Sequence, residues 1–234
     1  MEKIIEILSS NGVEQDKSEQ FGKYYQMLIE WNEKINLTAI TEETEVAYKH
    51  FLDCISVFES KAIESGDRII DIGTGAGFPG IPMKIYDSSL KITLLDSLNK
   101  RINFLNEVTN CLGLRDVTTL HGRAEDYGTN KDHREKYDIC VSRAVANLAT
   151  LSELCLPFVK VGGYFIAMKG PKADEELEAA KKAIGLLGGK VEKVINYDIS
   201  DKDFDHNMIL IKKISATSTK YPRKAPKPSK EPLI

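Results

Sequence analysis

Cysteine and histidine are scarce in this 234-residue chain, and the few present are scattered. Cys54, Cys111, Cys140 and Cys155 never take CxxC spacing, and three of them sit in apolar stretches. Buried reduced thiols are expected, which excludes a disulfide frame and a redox pair. His50, His121, His133 and His206 form no HxxxH or mixed His/Cys cluster, so no metal is assigned. Long apolar runs are missing too, and no segment approaches the roughly 20 residues that span a bilayer. Met1 to Ser10 interrupts its apolar positions with Glu2, Lys3 and Glu6, the pattern of an amphipathic helix and not of a signal peptide. A monomer in the cytoplasm, with no membrane anchor, is expected.

What is present is an ordinary globular mixture, 42% hydrophobic and 29% charged, long enough for one large core with additions at its ends. The charge is uneven. The net value is −3, but from Lys212 onward seven cations face Glu231 alone, a local balance of +6 that leaves −9 for residues 1–211. An acidic body with a basic, proline-containing tail suggests a polyanion met by that tail. A merely solvated, disordered end is the alternative that charge alone leaves open.

Along the chain, Phe21, Tyr24, Leu28, Trp31 and Ile35 recur at spacings of three and four, marking one face of a helix over Gln20–Ile35. A second helical pattern runs from about Val46 to Ile63. After the turn at Glu64-Ser65-Gly66-Asp67 the period changes. Arg68–Ile72, Lys91–Asp96, Val117–His121, Tyr137–Ser142 and Tyr164–Lys169 read as strands. They alternate with helices at Pro79–Tyr86, Asn99–Leu112, Asn147–Phe158 and Ala173–Leu187, and with a helical turn near Ala124–Tyr127. Two further strands follow, at about Lys190–Tyr197 and Met208–Ile214. Such alternation predicts a doubly wound, Rossmann-like α/β sheet, mostly parallel with an antiparallel last strand. The expected organisation is a helical N-terminal element over 1–64, an α/β core over 65–214, and an extended basic tail over 215–234 without a core of its own.

The strongest motif is Asp71-Ile-Gly-Thr-Gly-Ala-Gly-Phe-Pro-Gly80, at the end of the first strand. Glycines there permit a tight turn and close approach of a nucleotide ligand. Gly75 to Gly80 formally matches GxGxxG, so a dinucleotide enzyme is a rival reading. Two features favour S-adenosylmethionine. A carboxylate at Asp71 suits an ammonium and a sulfonium but repels a pyrophosphate, and Pro79 removes a backbone N–H from the anion-binding start of the helix. Asp96, closing the second strand, is placed to accept hydrogen bonds from ribose hydroxyls of either cofactor, or to cap the next helix. His121-Gly-Arg-Ala-Glu125 comes after the third strand and Asp138-Ile-Cys-Val-Ser-Arg143-Ala-Val after the fourth, both at carboxyl ends whose loops face the ligand crevice. Glu125 and Arg143 are read there as site residues or as surface ion pairs. Lys100, Arg101 and Lys169, with Arg223 and Lys224 in the tail, suit RNA phosphates, a solvated helix face being the alternative for the first group.

Taken together, these residues resemble the ribosomal small-subunit methyltransferase G family, also called glucose-inhibited division protein B. The likeness spans nearly the whole chain. It includes Trp31-Asn-Glu-Lys-Ile-Asn-Leu-Thr38, His50-Phe-Leu-Asp53, Asp71 to Pro82, and Asp96-Ser-Leu-Asn-Lys-Arg101 with Phe104-Leu105. It continues through Arg123-Ala-Glu125, Ser142-Arg-Ala-Val145, Lys169-Gly170 and Lys220-Tyr-Pro-Arg-Lys224. Cys54 departs from it, standing where the family commonly has Ser. The resemblance implies methyl transfer from S-adenosylmethionine to N7 of one guanosine of 16S ribosomal RNA, free or in a small-subunit precursor, in a loop near the decoding site. It also implies that Gly73, Phe78, Ala124, Glu125 and Arg143 contact the cofactor, alongside Asp71, Gly75, Gly77 and Asp96 read from the motif itself. Because guanine N7 has a lone pair and no proton, no catalytic acid or base is expected. The competing class, a non-catalytic RNA-binding factor on a degenerate cofactor fold, predicts a damaged glycine loop, and this one is intact.

Overall fold

A computed structural model describes residues 1–143, 146–199 and 206–233. The N-terminal element holds α1 (Glu2–Ser10), α2 (Gln15–Ile35) and α3 (Glu43–Val46). A π-helical turn, Ala47–Leu52, then runs into α4 (Asp53–Ile55) and a 3₁₀ turn, Ser56–Ser60. The face foreseen on α2 is the buried one, with Phe21, Tyr24 and Leu28 fully covered, and the helix stops where Asn36 takes a left-handed conformation. The single helix expected over Val46–Ile63 is instead broken into π, α and 3₁₀ turns. Its apolar residues are too closely spaced along the chain to reveal that the turn widens at Ala47–Leu52.

The core alternates as expected: β1 (Arg68–Ile72), α5 (Gly80–Tyr86), β2 (Lys91–Asp96), α6 (Asn99–Cys111), β3 (Val117–His121), α7 (Ala124–Tyr127), β4 (Tyr137–Arg143) and α8 (Leu148–Cys155). After a 3₁₀ turn, Leu156–Phe158, come β5 (Val159–Lys169), α9 (Ala173–Leu186), β6 (Gly189–Tyr197) and β7 (His206–Lys213). The seven strands lie in the order β3-β2-β1-β4-β5-β7-β6. The first five are parallel, and β7 is antiparallel to both of its neighbours. Alternate strand residues serve opposite faces. Ile69, Ile92 and Val141 pack with the N-terminal helices, α5 and α6, while Ile70, Leu95 and Cys140 pack with α8 and α9. The N-terminal element therefore shares one apolar cluster with the sheet. Strand order reverses between β1 and β4, so the carboxyl ends of β1, β2 and β4 open onto a crevice there. Among the described residues no helix is long and apolar enough to cross a membrane. Cys54, Cys140 and Cys155 are buried free thiols, and Cys111 is exposed.

The tail is not extended. Arg134 reaches four backbone carbonyls, of Gly128, Thr217, Ser218 and Tyr221, at 2.6–3.1 Å. Pro228, in the short α10 (Lys227–Lys230), is buried, and Tyr221 and Leu233 pack on the α8–α9 side of the sheet. The expected tail had no core of its own, but these residues borrow one from the body of the chain.

Candidate functional site

The loop after β1 is shaped by Asp71. Its carboxylate is fully buried, and Oδ2 accepts from Thr74 Oγ1 at 2.7 Å and from the Gly80 N–H at 2.9 Å. Oδ1 has no hydrogen-bond partner among the described residues. Burial pushes this carboxyl up to about 7, against the two hydrogen bonds that favour its charge. Asp71, expected to meet the ligand directly, stands fully buried behind the loop and folds it. Gly77 has φ 99, and a Cβ there would lie 2.8 Å from the Tyr24 hydroxyl and 2.6 Å from Ile81, so it too serves packing and not the cavity. Tyr24 donates its hydroxyl to the Ala76 carbonyl, which pins the loop to α2.

In front of the loop lies a cavity of about 910 Å³, within the range of small-molecule sites. Gly73, Gly75 and Phe78 line it, as do Asp96, Arg101, Arg143 and Lys169. Gly75, at φ 61, is open on its Cα side and donates its N–H to Asp96 Oδ2 at 3.0 Å. Asp96 is 3% exposed, and it also accepts from the Leu98 N–H at 2.9 Å and pairs with Arg101 Nη1 at 3.2 Å. One side chain thus lines the cavity and holds the Leu98 N–H just before α6. A smaller cavity of about 190 Å³ continues past Asp96 and is lined by Ala124 and Glu125, whose carboxylate pairs with Arg123 at 3.2 Å.

At the other end, Arg143 Nη1 binds Asp53 Oδ2 at 2.8 Å and the Lys49 carbonyl at 3.0 Å, while its guanidinium lies 4.9 Å from the Phe78 ring centroid. The π-turn brings that carbonyl and carboxylate to one cation. Arg143 Nη2 is 3.2 Å from His50 Nδ1. The Lys49 carbonyl also lies 3.0 Å from that nitrogen, and Nε2 is 2.9 Å from Thr38 Oγ1, so both ring nitrogens are engaged. Burial and the adjacent guanidinium lower the imidazole to about 4, so His50 is neutral at pH 7. Burial alone would raise Asp53, but His206 and Arg143 together hold it below the usual carboxylate range, and Tyr197 donates to its Oδ1 at 2.9 Å. His50, Asp53, Tyr197 and His206 were not foreseen as a set. They come from the π-turn, α4, β6 and β7, and no local spacing relates them.

Of the cations assigned to RNA, Lys100 and Lys224 are exposed. Lys169 is a half-buried wall residue, paired with Glu176 at 2.8 Å and donating to the Ala146 carbonyl. The Arg223 guanidinium lies on the fully buried Glu153, with Nη2 2.7 Å from Oε2, because a carboxylate without water needs a cation.

The start of α5 decides between the two cofactors. Pro79 and Pro82 have no N–H, the Gly80 N–H is spent on Asp71, and the Ile81 N–H is bonded to the Gly77 carbonyl at 2.7 Å. The first turn thus offers no cradle for a pyrophosphate. Open backbone at Gly75 and a carboxylate at Asp96 fit a nucleoside with an uncharged linkage to a cationic end.

This sheet order, loop and second-strand carboxylate define a Rossmann-like S-adenosylmethionine-dependent methyltransferase. Solved structures with this fold include a SAM-dependent methyltransferase from Aquifex aeolicus (TM-score 0.54, 18% identity, covering 73% of this chain and 93% of that one). Another is M. jannaschii TYW2 in complex with AdoMet (TM-score 0.50, 15% identity, 69% and 77%). The family model described as rRNA small subunit methyltransferase G matches residues 17–204, and the chain belongs to that family. Proteins named ribosomal RNA small subunit methyltransferase G are 58% identical in Clostridium botulinum (strain Loch Maree / Type A3), over 93% of this chain and 91% of that one. In Clostridium tetani (strain Massachusetts / E88) the identity is 52%, over 95% and 93%.

Proposed function

We propose that the chain transfers a methyl group from S-adenosylmethionine to N7 of one guanosine of 16S ribosomal RNA, in the loop near the decoding site. The observation that carries this reading is that, among the described residues, the four carboxylates on the walls of the two cavities are all engaged. Asp96 holds Gly75 and Arg101, Asp53 holds Arg143, Glu176 holds Lys169, and Glu125 holds Arg123. His50 beside them is neutral at pH 7, with both ring nitrogens engaged, and His206 is paired with Asp53 at 3.0 Å. An acceptor that must lose a proton calls for a free base, and guanine N7, with an in-plane lone pair and no proton, does not.

Bound S-adenosylmethionine supplies an electrophilic methyl on a sulfonium. The protein's work is then orientation, which can contribute roughly 7–11 kcal/mol. Asp96 takes ribose hydroxyls, the Gly73–Gly75 backbone lets the ligand approach, and Ala124 and Glu125 border the adenine. Phe78 and Arg143 form the floor at the reacting end. Arginine ordinarily reads guanine through N7 and O6. Arg143 is held by Asp53, Lys49 and His50, so the N7 lone pair stays free for the methyl. Lys100 and Lys224 hold RNA phosphates at the rim.

Methylation at N7 makes the imidazole ring cationic, so borohydride opens it and aniline cuts the strand. Ribosomal RNA from cells lacking the protein is expected to lose one such cut in the decoding-region loop. Purified protein with S-adenosylmethionine is expected to restore it, with small-subunit particles or precursors serving better than short oligonucleotides. A cut that persists in the deletion strain, or a labelled methyl on ribose or another base, would overturn the assignment.

A further inference from the structure

One residue of the smaller cavity comes from the far end of the chain. Ser229 lines it together with Gly73, Asp96, Ala124 and Glu125, and the neighbouring wall residue Thr150 donates its buried hydroxyl to the Pro228 carbonyl at 3.1 Å. The segment is fastened by one guanidinium. The Arg223 backbone N–H and Nε lie 2.7 and 2.9 Å from Glu153 Oε1, and Nη2 lies 2.7 Å from Oε2. The same Nη2 donates to the Glu231 carbonyl at 2.8 Å, so both ends of 223–231 are tied to α8 at one point. Glu153 is 0% exposed, and its described partners all belong to Arg223. A carboxylate so placed is costly unless the tail is docked. Upstream, Pro222 packs on Gly128, where an added Cβ would stand 3.0 Å from the proline ring.

We propose that residues 222–231 are a wall of the adenosine end of the cofactor site, latched by Arg223 on Glu153. The basic tail then sets affinity for the adenosine half of the cofactor and does not act on RNA alone. Glu153 and Arg223 are positioning residues: neither lines a cavity, and both act through Ser229 and Pro228. The inference rests on the S-adenosylmethionine site and is independent of which RNA atom is methylated, so its deciding measurements are ligand binding without RNA.

Calorimetry with S-adenosylhomocysteine and with 5′-methylthioadenosine, which keeps the adenosine but lacks the amino-acid end, separates the two halves of the ligand. The variants are Arg223→Ala, Arg223→Lys, Ser229→Trp and a chain ending at Tyr221. Arg223→Ala and the shortened chain are expected to weaken both ligands by a similar factor, about tenfold or more, the size of one good contact. Arg223→Lys is expected to recover part of the loss. Ser229→Trp leaves the latch intact and is expected to weaken both ligands by obstructing the pocket, so it decides the matter if the shortened chain fails to fold. In turnover with RNA, the KM for S-adenosylmethionine should rise while kcat at saturation holds, a split that a general loss of stability does not give. Unchanged affinities in folded Arg223→Ala and Ser229→Trp proteins would overturn the proposal, as would a loss seen with S-adenosylhomocysteine but not with methylthioadenosine. The parent protein's binding of both ligands tests the site itself, separately from the tail.

Discussion

Arg143 Nη1 stands 2.8 Å from Asp53 Oδ2, so the end of β4 is tied to the helical N-terminal element by an ion pair that is nearly closed to water. Tyr197 and His206 bring β6 and β7 to the same carboxylate. Asp53→Ala strands a buried guanidinium, and urea unfolding should show a loss of about 3–5 kcal/mol. The pair is also acid-labile. The folded carboxyl lies below its ordinary value of 3.8, so its contribution is complete above that value and disappears as pH falls through the lower, folded one. A variant less than 1 kcal/mol weaker than the parent would show that the two halves of the fold do not depend on this contact.

Asp71 gives the opposite pH dependence. Burial raises its carboxyl from 3.8 to about 7, so the folded state holds the proton more tightly than the unfolded chain does. The stability this group allows is fully present below about 3.8 and is lost as pH rises through about 7. Asp71→Asn cannot ionise, and its Oδ1 can still accept from Gly80 and Thr74. The parent should therefore lose ground to the variant by up to roughly 4 kcal/mol between pH 4 and pH 8. Asp71→Ala, by contrast, orphans two buried donors at roughly 1–3 kcal/mol each at every pH. If parent and Asn variant kept a constant difference in stability across that range, ionisation of Asp71 would be uncoupled from folding.

The cations first grouped as RNA contacts should now divide in salt titrations. Lys100→Ala and Lys224→Ala remove exposed charges, and each should lower the slope of log affinity against log salt by about 0.7 on single-stranded RNA. Lys169→Ala removes a charge already neutralised by Glu176, so it should leave the slope alone while disturbing the cavity wall. Equal slope changes for all three would mean that Lys169 leaves Glu176 when RNA binds.

What the chain reveals and conceals follows from distance in sequence. β1, β2, β3 and α7 begin and end where the alternation of apolar residues and turn signals placed them, because each is decided within a few neighbours. Asp96 was legible for the same reason, standing at a strand end one unit after the glycines. The Arg143–Asp53 pair joins residues 90 apart, and Arg223 meets Glu153 across 70, so no window of sequence holds either pair. The tail shows the consequence most plainly. Its composition is that of a solvated end, and only the placement of a buried glutamate on α8 shows that it docks. Asp71 misled in another way: its type and position were right, but a carboxylate that shapes a loop and one that touches a ligand look alike in a string of letters.

Asp96 carries the last prediction, since it bonds at once to the glycine loop through Gly75, to the start of α6 through Leu98, and to Arg101. In the proposed function its oxygens are also the acceptors for ribose hydroxyls. Asp96→Ala should weaken S-adenosylhomocysteine binding by roughly 1.5–3 kcal/mol, the scale of hydrogen bonds to a charged group. Asp96→Asn separates the two duties. Its amide oxygen can still accept from Gly75, but its nitrogen no longer accepts from Leu98 or a ribose hydroxyl, and the charge facing Arg101 is gone. Its binding should therefore fall between parent and Ala variant, and 2′-deoxyadenosyl or 3′-deoxyadenosyl analogues of the ligand should lose less on Asp96→Ala than the full ribose does. Such a double-mutant comparison isolates the hydroxyl contact from loop disorder, because disorder penalises every analogue alike. Identical losses for ribose and deoxyribose ligands would assign Asp96 to the loop alone and move the ribose contact elsewhere in the cavity.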